Sequence, residues 1–306
     1  MFLGHLSSII SVYVKNYPGG NKIMLLGIVS ALSVLAAAGI CVGTGAFETF
    51  NWIWVMPLGF IGAFLVLAGI AFGIFLLICS FIDLEKQRDE DSPWFRKMVL
   101  LYIRAVLTIL PVRIRMQGVE NVPKDGRFLL VSNHLANIDP AFLLNCFTKS
   151  QLAFVAKRET AQMFLVNKVL AKLLCPLINR ENDREALKTI LRCISLLKND
   201  TVSVAIFPEG RINAYRKLAH FRPGVFKIAQ KANVPVVVCT LKGTNTVIKN
   251  LLKCKGSTVD IHLLGVIPAE EVNSKNTVEV AEQVYRMMAA DLGPEHVLTP
   301  EEEENA

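Results

Sequence analysis

Charged side chains are absent from two long stretches near the N-terminus. No Asp, Glu, Lys or Arg occurs from Ile23 to Phe47, or from residue 49 to residue 82. Each run exceeds the roughly 20 residues that a helix needs to cross the hydrocarbon core of a bilayer. The first run is too long for the apolar region of a cleavable signal peptide, and a second run follows it at once. The pattern favours two transmembrane helices, at about 23–47 and 55–82, over a signal peptide or a hairpin buried in a soluble core.

Lysine and arginine are also missing from the short connection between these two runs. Lys15 and Lys22 precede the first run, and Lys86 and Arg88 follow the second. Because cytoplasmic segments carry the excess of Lys and Arg, both ends of the hairpin are expected in the cytoplasm. Residues 1–82 are therefore predicted to form a membrane anchor, in a multi-pass protein of the cell membrane whose main domain lies on the cytoplasmic side.

Cysteine pairs are missing from the sequence. The seven cysteines are odd in number and irregularly spaced, and they form neither a CxxC pair nor a Cys/His cluster. This spacing argues against a disulfide framework and against a zinc site, and it favours reduced thiols facing the cytoplasm. The sequence therefore predicts no metal site.

Basic residues are absent from residues 291–306, which carry six acidic side chains, whereas residues 93–290 carry 29 basic and 14 acidic ones. The end of the chain, PEEEENA, is too acidic to bury and is predicted to be a disordered acidic tail. The basic body suggests an anionic membrane surface or phosphate-bearing ligands as its partners. Nucleic acid is not expected, because no basic run with interleaved aromatic residues and no zinc-finger spacing occurs.

The remaining chain predicts an α/β fold. Residues 83–93 read as a charged linker, and residues 94–290 form the main domain. The domain begins with an apolar helix that carries Lys97 and Arg104 on one face, and this helix lies either in the membrane interface or packed on the body. β-branched strand patterns then alternate with helical ones, which predicts a mixed β-sheet flanked by helices behind the N-terminal transmembrane hairpin.

A candidate general base follows the short apolar strand RFLLVS. His134 stands at the end of this strand, where rigid backbone holds a side chain that reaches into a cleft. Asp139 lies five residues later and can turn back to accept the other ring N–H, which fixes the tautomer and stabilises the imidazolium. No serine or cysteine stands where it would serve as nucleophile. His134 is therefore predicted to deprotonate a substrate hydroxyl that attacks a carbonyl directly.

A second candidate site ends the strand SVAIFP, where the chain continues as Glu209, Gly210 and Arg211. Glycine lets a ligand approach the backbone, and the carboxyl ends of strands are where α/β sheets place ligands. The planar fork of arginine suits phosphate, because it offers two charge-assisted hydrogen bonds. The alternative is an ordinary turn with a solvated Glu–Arg pair.

Together these motifs resemble the 1-acylglycerol-3-phosphate acyltransferase family, the glycerolipid acyltransferases with an NH-x4-D motif and an FPEG motif. The resemblance covers roughly residues 95–290 and consists of four blocks in order. Asn133, His134 and Asp139 match the first block, and residues 207–210 match the third. The resemblance implies that His134 and Asp139 are catalytic.

The second and fourth blocks carry implied substrate contacts. FVAKRE and the later INR are similar to the second block, whose terminal arginine is linked in the family to the acceptor phosphate. This implies that Arg180 and Lys157 bind substrate; the alternative for Lys157 is a place on a basic rim. VPVV is similar to the fourth block, which is linked to the acyl site and implicates Pro235. FRPG at residues 221–224 resembles a Phe-Lys-Pro-Gly stretch of the family.

Two positions depart from the family pattern. The family often has Ser or Thr two residues after the histidine, where this chain has Ala136. Arg211 comes one residue earlier than the arginine of the common FPEG-Thr-Arg sequence, so its phosphate role is less secure than that of Arg180.

The resemblance implies an enzyme that transfers a fatty acyl group from acyl-CoA or an acyl-carrier protein to lysophosphatidic acid, giving phosphatidic acid in phospholipid biosynthesis. No metal or bound cofactor is implied. The expected partners are the lysophosphatidic acid, the acyl thioester and the lipid bilayer. Three alternatives stay open: an acyltransferase for glycerol-3-phosphate or another lysophospholipid, a hydrolase, and a non-catalytic membrane adaptor that binds anionic lipid.

Overall fold

The structure, a computed structural model, describes residues 24–86 and 88–304 of the chain. It opens with two apolar helices, α1 (Met24–Gly43) and α2 (Trp52–Ser80). Both predicted spans are therefore helical. The first helix ends earlier than predicted, because a tight turn with Gly45 at φ +64° follows it. Ile23, Lys15 and Lys22 lie outside the described residues.

Small side chains join the two helices of this hairpin. The buried residues of α1 recur at every fourth position, as Val29, Ser33, Ala37 and Cys41. Residues four apart share one helix face. A Cβ built on Gly59 of α2 would lie 3.4 Å from the Cα of Ala37, so the two backbones approach closely. Most other side chains of the hairpin are exposed, and only 6% of an 18-residue apolar stretch of α2 is buried. A core helix of a soluble protein would be mostly buried.

Helix α3 (Pro93–Ile109) connects the hairpin to the body. Its buried side chains include Phe95, Val99 and Leu107, and they face the body. Tyr102 stacks on Phe75 of α2 with ring centroids 4.4 Å apart and donates a hydrogen bond of 2.7 Å to the carbonyl oxygen of Ala71. The helix is therefore packed on the body, as one of the two alternatives predicted, and also on the hairpin; its position in the membrane interface stays a prediction.

The body is built on a six-stranded sheet in the order β1-β8-β7-β2-β6-β3. Strands β7, β2, β6 and β3 are mutually parallel, β8 is antiparallel to β7, and β1 is parallel to β8. The sheet is mixed, as predicted. Its strands are β1 (Val112–Gln117), β2 (Leu129–Ser132), β3 (Leu152–Phe154), β6 (Ser203–Ile206), β7 (Val236–Lys242) and β8 (Ser257–Ile267). A second parallel pair consists of β4 (Ala156–Lys157) and β5 (Leu177–Ile178).

Helices cover the sheet, and its central strands are fully buried. The remaining helices are α4 (Asp139–Cys146), α5 (Phe164–Lys172), α6 (Asp183–Lys198), α7 (Lys227–Ala232), α8 (Val247–Leu251), α9 (Ala269–Ser274), α10 (Thr277–Leu292) and α11 (Pro300–Glu304). A capping box between Asn276 and Glu279 starts α10, since the side chain of each residue accepts a backbone N–H of the other.

The C-terminal tail is ordered where the structure describes it. Helix α11 lies within the predicted disordered tail, and the carboxylate of Glu302 accepts hydrogen bonds of 2.7 and 2.9 Å from Nζ of Lys217. The prediction of disorder is therefore wrong for residues 300–304. Composition alone favoured disorder, but acidic side chains become ordered when basic side chains of a folded body pair with them.

Candidate active site

Just after β2, the side chain of Asn133 makes the hydrogen bonds to a neighbouring segment that a strand would make with its backbone. Nδ2 of Asn133 donates to the carbonyl oxygen of Leu241 at 2.9 Å, and Oδ1 accepts the N–H of the same residue at 2.7 Å. Asn133 is buried, so these two bonds satisfy its amide group. They fix the start of the loop that follows β2 and hold His134 at the carboxyl end of the central strands.

His134 and Asp139 form a hydrogen-bonded pair, as predicted. Nδ1 of His134 lies 2.8 Å from Oδ2 of Asp139, and the same oxygen accepts the N–H groups of Leu135 at 2.7 Å and Ala136 at 2.8 Å. An ionised carboxylate only accepts hydrogen bonds, so Nδ1 is the donor to Oδ2, and in the neutral ring the lone pair then lies on Nε2. Asp139 is fully buried, whereas 17% of the His134 side chain is exposed. The ring is therefore reachable and its base nitrogen is Nε2.

An aromatic side chain fixes the plane of this ring. Phe207, the first residue after β6, stacks on His134 with centroids 4.0 Å apart and an interplanar angle of 9°. Phe207 in turn stacks on Phe154, at 5.9 Å. The residue directly before the Pro-Glu-Gly turn thus orients the histidine. The two sequence motifs are in direct contact.

Glu209 holds backbone groups. Oε1 accepts the N–H of His134 at 2.8 Å, and Oε2 accepts the N–H of Ala219 at 3.1 Å. Only 6% of the residue is exposed. Both carboxylate oxygens accept a backbone N–H, so the geometry gives Glu209 a positioning role, and its contact with substrate stays a prediction.

Gly210 adopts a left-handed conformation that leaves room for an arginine. Its φ is +82°, and a Cβ built there would lie 3.0 Å from Nε of Arg222. Any L side chain at this position would be strained and would displace the guanidinium. The close approach that the glycine allows is therefore made by Arg222, which reaches the Pro-Glu-Gly turn from the FRPG stretch.

Arg180 lies near this second arginine. Burial and the like charge of Arg222 lower the pKa of Arg180, while the charge of Glu159 opposes them. Lys157 forms an ion pair of 3.1 Å with Glu159, and β4 and β5 align Lys157 with Ile178, two residues before Arg180. The structure therefore brings Arg180, Arg222 and Lys157 to the same side of the body, with Glu159 as their carboxylate neighbour.

Two predicted site residues are placed differently. Pro235 precedes β7, and its carbonyl oxygen accepts the N–H of Leu129 at the start of β2, whereas His134 follows the end of β2. Five residues of strand span roughly 17 Å, so Pro235 lies at the opposite end of the sheet and its acyl contact stays a prediction. Arg211 is exposed and forms no hydrogen bond or ion pair with a described residue.

Comparisons with known proteins give one family. The model of the family described as Acyltransferase matches residues 113–242, which include His134, Asp139 and Glu209. A probable 1-acyl-sn-glycerol-3-phosphate acyltransferase of Mycoplasma genitalium is 31% identical over 186 residues, which are 57% of this chain and 68% of that protein. The chain belongs to the 1-acyl-sn-glycerol-3-phosphate acyltransferase family.

Other members and a solved structure agree. The probable enzyme of Mycoplasma pneumoniae is 31% identical, over 56% of this chain and 66% of its own length, and the enzyme of Borreliella burgdorferi is 28% identical, over 60% and 74%. The crystal structure of the 1-acyl-sn-glycerophosphate (LPA) acyltransferase PlsC of Thermotoga maritima superposes with a TM-score of 0.55 at 24% identity, covering 72% of this chain and 86% of that one. The fold is that of an acyltransferase, as the resemblance predicted.

Two further arginines of this acyltransferase family member, Arg216 and Arg222, lie near the site, and no motif assigned either of them a role. Arg216 has φ +56° and donates a hydrogen bond of 2.9 Å from its guanidinium to the carbonyl oxygen of Leu135, which directly follows His134. Spacing along the chain gives no signal for either residue, because each reaches its partner through a loop of irregular structure.

Metal ligands are not clustered in the described parts of this acyltransferase. No group of three or more His, Cys, Asp or Glu side chains in residues 24–86 and 88–304 could hold a metal ion. All seven cysteines are free thiols, six buried and Cys254 exposed. That the enzyme uses neither a metal nor a bound cofactor stays a prediction.

Replacing Glu209 with glutamine should change how stability depends on pH. Burial raises the pKa of Glu209 from 4.5 to about 8, with the charge of Asp139 adding to the rise and the two backbone hydrogen bonds opposing it. The folded state then retains a proton that the unfolded state has lost, so the wild type loses stability as pH rises through this window. Glutamine cannot ionise. We expect the Tm of Glu209→Gln relative to wild type to increase between pH ~5 and ~8.

This comparison uses thermal unfolding of purified protein in detergent. Other titrating groups are common to both proteins, so the difference between the two Tm values isolates Glu209. A difference that stays constant across the pH range would contradict the raised pKa.

Proposed function

We propose that this chain transfers a fatty acyl group from an acyl thioester to the free hydroxyl of lysophosphatidic acid, giving phosphatidic acid. The observation that carries the proposal is the hydrogen bond of 2.8 Å between Asp139 and the partly exposed ring of His134. In the neutral imidazole this bond leaves the lone pair on Nε2. The names of the family members, 1-acyl-sn-glycerol-3-phosphate acyltransferases, support the same reaction.

The reaction needs one proton acceptor and no covalent enzyme intermediate. Nε2 of His134 takes the proton of the acceptor hydroxyl, and the oxygen attacks the thioester carbonyl carbon. The new C–O ester bond forms, the C–S bond breaks, and the proton passes from His134 to the leaving thiolate. Asp139 stabilises the imidazolium between these two steps. Phe207 and Glu209 keep the ring and its backbone in place, so little reorganisation is needed as charge develops.

The acceptor phosphate would bind between Arg180 and Arg222. Burial and the neighbouring charge of Arg222 lower the pKa of Arg180, and an anion bound beside the two guanidinium groups would offset both effects. A phosphate monoester supplies that anion, and the arginine fork binds it through two charge-assisted hydrogen bonds. In this proposal Arg222 has the phosphate-binding role that the sequence predicted for Arg211, because the absence of a side chain at Gly210 lets the guanidinium of Arg222 lie against the turn. Lys157 would contribute charge at the rim.

The lengths of the helices support the proposed membrane position. Helix α2 has 29 residues and is about 44 Å long, whereas the hydrocarbon core is about 30 Å thick. If Trp52 and Trp54 lie at one interface, Ala71 lies near the other, where α3 contacts it through Tyr102. Helix α3 would then lie in the cytoplasmic interface, with the catalytic body on that side. The exposed Trp94 and Ile109 of this helix suit the acyl region of the lipid.

The test measures thiol release in sealed inverted membrane vesicles that contain the protein. Acyl-CoA does not cross a bilayer, so a cytoplasmic catalytic domain should release CoA without permeabilisation and only when lysophosphatidic acid is present. A panel of glycerol-3-phosphate and other lysophospholipids identifies the acceptor. An acyl-carrier protein donor in a parallel arm identifies the donor. Release without any acceptor would indicate a hydrolase, and no release with any pair would indicate a non-catalytic adaptor.

Variants of the two arginines test the acceptor site in the same assay. Loss of one charge-assisted contact to phosphate should cost about 1.5–3 kcal/mol, which raises the KM for lysophosphatidic acid roughly tenfold to a hundredfold. We expect this for Arg180→Ala and Arg222→Ala, with the KM for the acyl donor nearly unchanged. Arg211→Ala is the matched control and should leave both constants near wild type. An acceptor KM that responds to Arg211→Ala alone would contradict the assignment.

A further inference from the structure

A single segment, residues 213–222, lies between the catalytic residues and the C-terminal tail. Three of its residues bond inward, to groups of the active site. These contacts are Arg216 with the carbonyl oxygen of Leu135 (2.9 Å), the N–H of Ala219 with Oε2 of Glu209 (3.1 Å), and the N–H of Arg222 with the carbonyl oxygen of Pro208 (3.0 Å). The 213–222 segment therefore supports both motifs and carries one of the two phosphate-binding arginines.

The residues between these three bond outward, to the tail. Lys217 pairs with Glu302 at 2.7 Å, the backbone of Leu218 pairs with His296 (2.8 Å) and Leu298 (3.0 Å), and His220 bonds to the carboxylate of Glu303 through its N–H (3.0 Å) and Nδ1 (2.5 Å). The ring of His220 also stacks on Tyr285 of α10. Inward and outward contacts thus alternate along the 213–222 segment.

We propose that Glu302 and Glu303 are positioning residues of the acyltransferase, which hold the 213–222 segment against the active site and thereby set the acceptor affinity. The proposal rests on the proposed function, since Arg222 acts on the acceptor phosphate. Neither glutamate touches substrate or the reacting atoms. Their effect reaches the site through Lys217, which directly follows Arg216, and through His220, which lies two residues before Arg222; both arginines bond inward.

The segment needs such an external restraint. It contains no helix or strand of its own, and Arg216 has φ +56°, a conformation that L residues rarely adopt without support from their surroundings. Irregular chain of this kind opens locally more easily than the strands that it connects. The tail supplies the restraint from outside, and Leu218 is fully buried beneath the backbone pairing with the tail.

Isolated surface ion pairs contribute little to stability, so the tail should act mainly by holding the 213–222 segment in position. The side chains of Lys217 and Glu302 are 25% and 23% exposed, which makes their pair better protected than an open surface pair. The carboxylate of Glu302 also accepts the N–H of Thr299 at the start of α11. Glu302 thus bonds both to the start of α11 and to Lys217 of the 213–222 segment. Reversing its charge should break both contacts.

The experiment compares Glu302→Lys, Lys217→Glu and the exchanged pair in the thiol-release assay. Each single reversal should raise the KM for lysophosphatidic acid roughly threefold to tenfold, with the donor KM nearly unchanged. The exchanged pair should recover only part of the loss, because a lysine at position 302 cannot accept the N–H of Thr299. Glu282→Lys, which removes an exposed i,i+4 pair with Arg286, makes the same charge change and should behave as wild type.

A merely stabilising tail would give other results. If the single reversals match Glu282→Lys, if acceptor and donor KM rise together, or if the exchange recovers nothing, the positioning role is overturned. Amide hydrogen exchange of residues 213–222 provides a readout that needs no turnover. Protection there should fall in Glu302→Lys and stay unchanged in Glu282→Lys. Unchanged protection in both Glu302→Lys and Glu282→Lys would overturn the positioning proposal, even if transfer activity is confirmed. A wild-type protein without turnover would reject only the proposed function.

Discussion

His134→Ala should lower the rate of acyl transfer by about 10² to 10⁴-fold, the usual contribution of a general base. The substitution removes Nε2 and leaves the hydroxyl of the acceptor to lose its proton to water. The fold should persist, because the backbone N–H of residue 134 still donates to Glu209 and the carboxylate of Asp139 retains its two backbone donors. Release of CoA from purified protein in detergent measures the rate.

The chain offers a matched control for this experiment. His262 also pairs through Nδ1 with a carboxylate, that of Asp291, at 2.9 Å, and its side chain is 21% exposed. Asp291 also accepts a hydrogen bond of 2.6 Å from Thr240, so this second pair ties α10 to β7 and β8. His262→Ala should reduce stability and leave the transfer rate of the folded protein near wild type. A His134→Ala protein that is folded and within a few-fold of wild type would reject the mechanism.

Asp139→Asn should reduce the transfer rate less than Asp139→Ala does. The N–H groups of Leu135 and Ala136 both point at Oδ2, so an amide at position 139 must place its carbonyl oxygen there and its NH₂ group at the position of Oδ1. His134 then keeps its hydrogen on Nδ1 and its base on Nε2. What is lost is the charge, and a neutral bond is weaker than a charge-assisted one by about 1–2 kcal/mol, or roughly fivefold to thirtyfold in rate.

Asp139→Ala removes the acceptor itself. Three donors are then left without a partner in a fully buried position, at a cost of about 1–3 kcal/mol each, and the imidazole is free to change tautomer. We expect a loss of rate close to that of His134→Ala, together with a lower Tm. Equal losses in Asp139→Asn and Asp139→Ala would show that the two backbone donors do not dictate how the amide is oriented.

The strands could be predicted because local pattern and burial agree. β1 alternates buried and exposed residues at the edge of the sheet, as its alternating apolar and basic residues predicted. The central strands β2 and β6 are buried throughout, as expected for parallel strands covered on both faces. The pairing of His134 with Asp139 could also be predicted from the sequence, because a loop of five residues is long enough to turn back on itself.

Contacts between residues far apart in the chain could not be predicted from the sequence. The roles of Glu209 and Arg222 depend on which loops face each other across the ends of β2 and β6, and no periodicity encodes that. Glu209 was predicted to contact substrate because α/β sheets place ligands at the carboxyl ends of strands, and its burial and its bond to Ala219 are long-range features. The tail was predicted to be disordered from its acidic composition, because its partners Lys217 and His220 lie about 80 residues earlier in the chain.

The contact of Tyr102 with Ala71 and Phe75 bears on how the enzyme meets a lipid acceptor. A second link, from Nζ of Lys168 in α5 to the carbonyl oxygen of Ile82, joins the body to the end of the hairpin. In the proposed membrane position, these two joints would fix the height and tilt of His134 and Asp139 relative to the bilayer, so a lysolipid acceptor would be met by diffusion in two dimensions. The proposed function therefore predicts that a generic membrane tether cannot replace the hairpin.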